Sequence, residues 1–148
     1  MKRLVIMQGP SGSGKSTLAK DIAMGKRSAI LSTNDYFMND GEYEFDASKL
    51  GTAHAWNLNR AKRAMAQSHP LVIIDNTHTQ SWEAKAYVET GIKEGYTVEF
   101  VRATHNDTPL LCQTNNAHGV PLDSIQAMFN RLEDLSVESC LNASVPWQ

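Results

Sequence analysis

The chain predicts an α/β fold in three layers, a mostly parallel sheet between two layers of helices, with a small helical lid. Three observations carry that reading. Short apolar runs at 3–8, 29–32, 71–74 and 96–101 alternate with segments of helical pattern, the order expected of a parallel sheet wrapped by helices. The run Leu71-Val-Ile-Ile74 is unbroken and mostly β-branched, as suits a strand covered on both faces. A glycine-rich stretch, Gly9-Pro-Ser-Gly-Ser-Gly-Lys-Ser-Thr17, lies between the first apolar run and the first helical segment.

Each element follows in order. Residues 3–8 read as the first strand and 15–25 as the first helix, ending near Gly25. Ala29-Ile-Leu-Ser32 is short and apolar and reads as a second buried strand. Asn34 to Gly41 is polar and aromatic, with Gly41 marking a turn. Residues 49–67 read as a long helix with Leu50, Ala53, Ala61, Ala64 and Met65 on its apolar side, and Pro70 ends the segment. Strand 71–74 precedes a helix over 81–94, with Ser81 as its candidate cap and Glu83 close behind. Gly95 punctuates the chain before a strand over 96–101. A helix over 108–117 starts after Asp107 or Thr108, with Pro109 in its first turn. His118 to Pro121 is a loop, and 123–135 is a helix with Ile125, Met128, Phe129 and Leu132 at helical spacing. The tail from Val137 reads as weakly structured, with Trp147 able to pack back.

Composition narrows the class. The 148 residues are 41% hydrophobic and 20% charged, which suits one globular domain over 1–148 with its lid near 105–131. No run is long enough to span a membrane. With the first strand beginning at residue 3, no signal peptide is expected ahead of it. Cys112 and Cys140 have neither C-x-x-C nor zinc spacing, so free thiols in a cytoplasmic chain are expected. A net charge of -2 lacks the basic excess of a dedicated nucleic-acid binder. It leaves room for a local groove that holds one nucleic-acid end. Arg60-Ala-Lys62-Arg63 is the best local positive patch; the competing reading is a solvated helix face.

The strand, loop and helix context makes residues 9–17 a Walker A phosphate-binding loop. Gly9, Ser11, Gly12, Ser13, Gly14, Lys15, Ser16 and Thr17 would cradle nucleotide phosphates with backbone N–H groups at a helix N-terminus. Lys15 adds a point charge, and Ser16 offers a hydroxyl to Mg²⁺. Asp75 ends the clearest strand, where a carboxylate would hold Mg²⁺; the alternative is an aspartate capping a turn. Asn76, Thr77 and His78 follow as polar groups able to position a substrate, or as an Asx-type turn. Asp35 is a candidate proton acceptor for an attacking hydroxyl, or a structural acid of its turn. Asn34 beside it cannot serve as a base. The lid region contains one arginine, Arg131, a candidate phosphate contact or a surface charge. His118 in the lid loop is a candidate donor or a turn histidine, and Arg102 is a further candidate cation. Tyr36, Phe37, Tyr43 and Phe45 would line an acceptor site or pack a satellite core, and His54 and Trp56 divide between the same two readings.

With these residues in view, the chain resembles P-loop kinases of the polynucleotide-kinase type, including kinase-like proteins of animals, bacteria and phages. The matching strings are GPSGSGKSTLA (9–19), ILSTNDYF (30–37), LGTAHAWNLNRAKRAM (50–65), VIIDNTHTQSWEAKAYV (72–88), GYTVEF (95–100) and NNAHGVPLDSIQAMFNR (115–131). The resemblance implies an ATP-binding P-loop NTPase core and phosphoryl transfer to a hydroxyl, such as the 5′-OH of a nucleic-acid end. The departures also carry information. The family has two consecutive acids before the tyrosine, the first being the base in polynucleotide kinases; here Asn34 holds that place and Asp35 remains. A lid arginine is replaced at Asn115, a neighbouring basic position is Ala117, and His78 stands where asparagine is usual.

The expected function is thus an ATP- and Mg²⁺-dependent kinase acting on a DNA or RNA 5′-OH. Lys15, Asp35 and Arg131 are its candidate catalytic residues, and Ser16 and Asp75 its metal ligands. Asn34, Asp35, Thr77, His78, His118 and Arg60 are its candidate substrate contacts. A small-molecule or nucleoside kinase, and an ATP-binding module with weak or no transfer, are the alternatives.

Overall fold

The computed structural model describes residues 1–23 and 28–146. The predicted helix end near Gly25 and the packing of Trp147 lie outside the described residues. Four strands, β1 (Arg3–Gln8), β2 (Ala29–Leu31), β5 (Leu71–Ile74) and β6 (Thr97–Arg102), form a parallel sheet in the order β2-β5-β1-β6. β1 lies beside β5 with Leu4 opposite Val72 and Ile6 opposite Ile74.

Side chains alternate across a strand, so β1 divides its residues between two cores. Leu4 and Ile6 pack with Val72 and Ile74 against α2 (Leu50–Ala66), α3 (Ser81–Lys93) and α6 (Val137–Asn142), through Ala61, Met65, Ala84, Val88 and Cys140. Val5 and Met7 pack with Leu71 and Ile73 against Ala19 and Ala23 of α1 (Lys15–Ala23). All eight of these strand side chains are buried, each worth about 1.5–3 kcal/mol relative to exposure for a residue of this size. The three layers match the expected fold class. The helices α4 (Pro109–Thr114) and α5 (Leu122–Asn130) pack on each other.

Several local readings change. The helix predicted over 49–67 is Leu50–Ala66, preceded by a 3₁₀ turn at Ala47–Lys49 whose Asp46 cap accepts from Ser48 N–H. Helix 108–117 shortens to Pro109–Thr114, with Thr108 as cap, and helix 123–135 shortens to Leu122–Asn130 after Pro121. Ser81 does not cap α3. Gln80 occupies the cap position and its N–H donates to Glu83 at 2.8 Å, while Ser81 Oγ donates to Ser139 Oγ at 2.9 Å. Residues 33–43 hold more structure than a single turn. A 3₁₀ segment at Thr33–Phe37 leads into a hairpin of β3 (Met38–Asn39) and β4 (Glu42–Tyr43). Asp40 and Gly41 join its strands at φ 51° and 83°, the pair of positive values a two-residue hairpin turn needs.

The largest correction concerns the tail. Residues from Val137 were expected to be weakly structured, but α6 packs on α3 with Cys140 fully buried. Lys85 ties it further by donating to the Ala143 carbonyl at 2.8 Å. A six-residue helix has little stability alone, so the docking supplies the order that local sequence does not. Cys140→Ser should therefore lower stability by about 1–3 kcal/mol, the cost of burying a hydroxyl among apolar groups. The neighbouring exposed Leu141→Ser should stay within about 0.5 kcal/mol, as urea unfolding of the two variants would measure.

Candidate active site

The site forms where β1 and β5 end side by side. The glycine loop leaves β1, and Gly9 N–H donates to the Thr77 carbonyl at 2.9 Å, tying the loop to the segment after β5. Ser16 Oγ, in the first turn of α1, donates to Asp75 Oδ2 at 2.8 Å. Asp75 is buried and its Oδ1 has no partner. A buried carboxylate oxygen left without a bond is costly, and a cation beside a hydroxyl and a carboxylate satisfies it. Among the described residues no cluster of three His, Cys, Asp or Glu could enclose a metal. The donor set therefore suits Mg²⁺, which is bound by one or two protein oxygens together with phosphates and water.

Lys15 Nζ donates to the Pro10 carbonyl at 3.2 Å across its own loop. Burial draws its pKa below the ordinary lysine value, with the charge of Asp75 opposing. The loop is also wedged from outside. Asn106 Nδ2 donates to the Gly12 carbonyl at 2.6 Å, and a Cβ on Gly12, at φ +84°, would collide with the Cys112 carbonyl of α4. Glycine is required there both for its conformation and for the approach of α4.

A cleft of about 1500 Å³ opens over this junction, lined by Ser11, Gly12, Gly14, Lys15, Ser16, Thr17, Asp75, Asn34, Thr77, His118 and Arg131 among others. Gly9 and Ser13 belong to the same loop but do not line the cleft. Ser13 is buried, its Oγ without a partner and in the space a Cβ on Gly9 would need. Arg131 Nε donates to Thr79 Oγ1 at 3.0 Å. The His118 ring lies against Tyr43 at 4.1 Å between centroids, tilted by 34°. Burial lowers its pKa and so does the charge of Lys15, while Asp35 and Asp75 oppose. Tyr43 donates to Asn34 Oδ1 at 3.2 Å and stands parallel to Phe45, with 13° between their planes.

Three predicted residues stand apart from this cleft. Asp35 is not part of its lining. Its carboxylate accepts from Arg60 at 3.0 Å and closes the 3₁₀ segment on Ser32 N–H. Arg60 is correspondingly spent. It donates to the Ser32 carbonyl and Asn57 Oδ1 as well, and its guanidinium lies 3.9 Å over the Trp56 ring. The patch with Lys62 and Arg63 is thus divided, one cation turned inward and two exposed. His78 lies beneath the cleft, buried, with Nδ1 2.8 Å from the Met7 carbonyl and its ring edge-on to Tyr87. A contact between His78 and substrate does not fit that burial, nor does Asp35 as proton acceptor fit its pairing with Arg60. Arg102 lines the cleft, but its guanidinium bonds Gln8, the Glu133 carbonyl and Asp134.

The sequence reading missed Gln80, Trp82, Glu83, His105 and Asn106, all of which line the cleft. Gln80, Trp82 and Glu83 fall within the string 72–88 without a site role assigned to them, and no motif marks His105 or Asn106. They arrive from the start of α3 and the loop after β6, the strand-end positions where α/β folds collect functional groups.

A parallel sheet with a glycine loop after β1 and a carboxylate after the neighbouring strand defines a P-loop nucleotide-binding domain of the kinase type. An AAA domain model matches residues 4–118, and the chain belongs to that family in its P-loop kinase form. Human (Homo sapiens) NEDD4-binding protein 2 is 41% identical over 150 residues, which cover 97% of this chain and 8% of that protein. The chain thus spans a small part of this relative. Among solved structures, a chain of the Pnkp1/Rnl/Hen1 RNA repair complex gives a TM-score of 0.69 at 15% identity, covering 88% of this chain and 44% of that one. The Mycobacterium tuberculosis APS kinase CysC, in complex with AMPPNP and APS, gives 0.54 at 20% identity, covering 80% and 70%. At such identities the two structures show the fold alone.

Two outcomes follow from the geometry. Gly12→Ala should weaken nucleotide binding at least about tenfold, equivalent to about 1.4 kcal/mol, because α4 and the loop cannot keep their approach; a fluorescent-nucleotide titration measures it. Burial holds the His78 pKa at about 4 against an ordinary 6.5. Between those values the unfolded chain binds more protons, so stability is full above about pH 6.5 and falls as pH drops toward 4. Asparagine accepts the left-handed backbone of this position, φ 41°, so His78→Asn should fold and lose part of that acid sensitivity in urea midpoints.

Proposed function

We propose that the chain is an ATP-dependent kinase that transfers the γ-phosphoryl group to the 5′-hydroxyl of a DNA or RNA end. The observation that carries this is the junction of loop and sheet, where Ser16 Oγ meets Asp75 at 2.8 Å and the buried Asp75 Oδ1 lacks a partner. In this reading Ser16 and Asp75 hold Mg²⁺, which offsets phosphate charge when bound. Backbone N–H groups of residues 9–17 and the Lys15 ammonium hold the phosphates. Arg131, steadied on Thr79, is the second cation for the transferred group. The region 105–131 acts as the lid, reaching the acceptor side through the His118–Tyr43 ring contact.

On that side Asn34 and Thr77 orient the hydroxyl. Tyr43, Phe45 and His118 give a wall of rings suited to stacking a base, an interaction that tolerates any sequence. One observation favours a second reading, an ATP-binding module with weak or no transfer: Asn34 lines the cleft where an acid is expected, and Asp35 is neutralised by Arg60. Phosphoryl transfer has a loose transition state in which positioning and charge stabilisation dominate, so loss of that acid slows the reaction without removing its basis.

Incubation of 5′-OH DNA and RNA oligonucleotides with γ-labelled ATP should label their ends. Lys15→Ala and Asp75→Asn should each lower the rate at least about 10²-fold. ADP release with small alcohols alone would assign a small-molecule kinase, and ATP binding without turnover would leave the binding module.

A further inference from the structure

Transfer to a hydroxyl releases its proton, and the two residues at the expected acceptor position do not take it. Asn34 is an amide whose Oδ1 already accepts from Tyr43. Asp35 is held by Arg60 outside the cleft. Three carboxylates line the cleft among the described residues, Asp21, Asp75 and Glu83. Asp75 belongs to the cation junction, and Asp21 lies on α1, on the phosphate side. Glu83 accepts from Thr79 Oγ1 at 2.6 Å and from Gln80 N–H at 2.8 Å.

His54 lines the same cleft from the start of α2. Its Nδ1 lies 3.4 Å from Thr33 Oγ1, and Thr33 N–H donates to Asn76 Oδ1 at 2.9 Å. The ring is thereby registered to the residue before Asn34 and to the residue after Asp75. Such a base, oriented through one nitrogen by a third group, is the arrangement general-base catalysis requires. The tautomer that gives Nδ1–H to Thr33 leaves the Nε2 lone pair for the acceptor. His118 and His105 are the other histidines of the cleft; His118 is held by its ring face against Tyr43, and His105 follows β6 with its Cβ against Gly14 of the phosphate loop.

We propose, resting on the kinase reading above, that His54 is a catalytic residue whose Nε2 accepts the proton of the attacking hydroxyl. The hydroxyl oxygen bonds to the γ-phosphorus and the bond from that phosphorus to the β-phosphate oxygen breaks, leaving ADP. The O–H proton passes to Nε2 and then to solvent. His54 has a pKa below the ordinary histidine value because of burial, with Glu83 opposing, so the ring is neutral and able to accept at pH 7. Glu83 of α3 and buried His78 of the preceding loop are titratable groups that face it from neighbouring elements, and Arg60 is a charged group six residues farther along its own helix.

The test is single-turnover transfer from γ-labelled ATP to a 5′-OH oligonucleotide between about pH 5 and 8.5, for wild type, His54→Gln and His118→Gln. The wild-type rate should rise through one ionisation below pH 6.5 and then level. His54→Gln should lower the plateau about 10²-fold or more and lose that rise, while ATP binding stays unchanged. A His54→Gln profile that keeps both rise and plateau, or a change in oligonucleotide KM alone, would overturn the assignment. So would disappearance of the rise in His118→Gln instead. Failure of the kinase reading looks different: wild type binds ATP and labels no acceptor, and the His54 assignment falls with it.

Discussion

The adjacency of β1 and β5 is the constraint on which the rest of this molecule depends. Parallel strands lie about 4.8 Å apart, so two neighbours deliver their C-terminal ends to one place. β1 delivers the glycine loop and β5 delivers Asp75. The connections leaving these strands cross to opposite faces, α1 on one and α3 on the other, and the parting of the two chains opens the crevice. The Ser16–Asp75 hydrogen bond and the Gly9–Thr77 backbone bond fasten the two sides. Neither strand alone makes the whole site.

Beneath the Asn34 side of the cleft lies a polar layer that is unusual for its burial. Asn57 is fully buried and donates to the Tyr87 hydroxyl and the Leu31 carbonyl, while Arg60 gathers the Ser32 carbonyl, Asn57 and Asp35. Buried polar groups are costly unless partnered, and partnered networks fix one geometry. Here the network fixes the chain from Leu31 to Asp35, the segment that carries Asn34 into the cleft. Arg102 does comparable work at the other edge, bonding Gln8, the Glu133 carbonyl and Asp134. Arg60, a candidate substrate contact in the sequence, and Arg102, a candidate cation, are both held by protein groups, which leaves Lys15 and Arg131 as the other cations lining the cleft among the described residues.

The loop, its lysine and the strand-end aspartate were legible because their chemistry is local. Phosphate binding needs consecutive N–H groups at a helix start, and a run of apolar residues announces the strand before it. The buried strands were legible because residues with both faces covered must all be apolar. Asp35 was left between a catalytic and a structural reading because its distance in sequence from Arg60 conceals the salt bridge that joins the 3₁₀ segment to α2. The burial of His78 was not legible because its neighbours Thr77 and Thr79 are polar, while its own ring is turned under the sheet end onto the Met7 carbonyl. In the tail only the Ser136 cap announces α6, whose order comes mainly from Cys140 entering the core and from Ser81 and Lys85 on α3.

The sequence by itself determined the layered fold, the phosphate loop and the carboxylate that faces it, since periodicity and short-range motif specify each. Tertiary structure alone decided which polar side chains reach the cleft and which are consumed beneath it. The physical reason is that a side chain's availability depends on its partners, and those of Asp35, His78 and His54 come from elements 25, 71 and 21 residues away. Folding brings those partners within hydrogen-bond distance, and that distance separates a group that meets substrate from one that holds the scaffold.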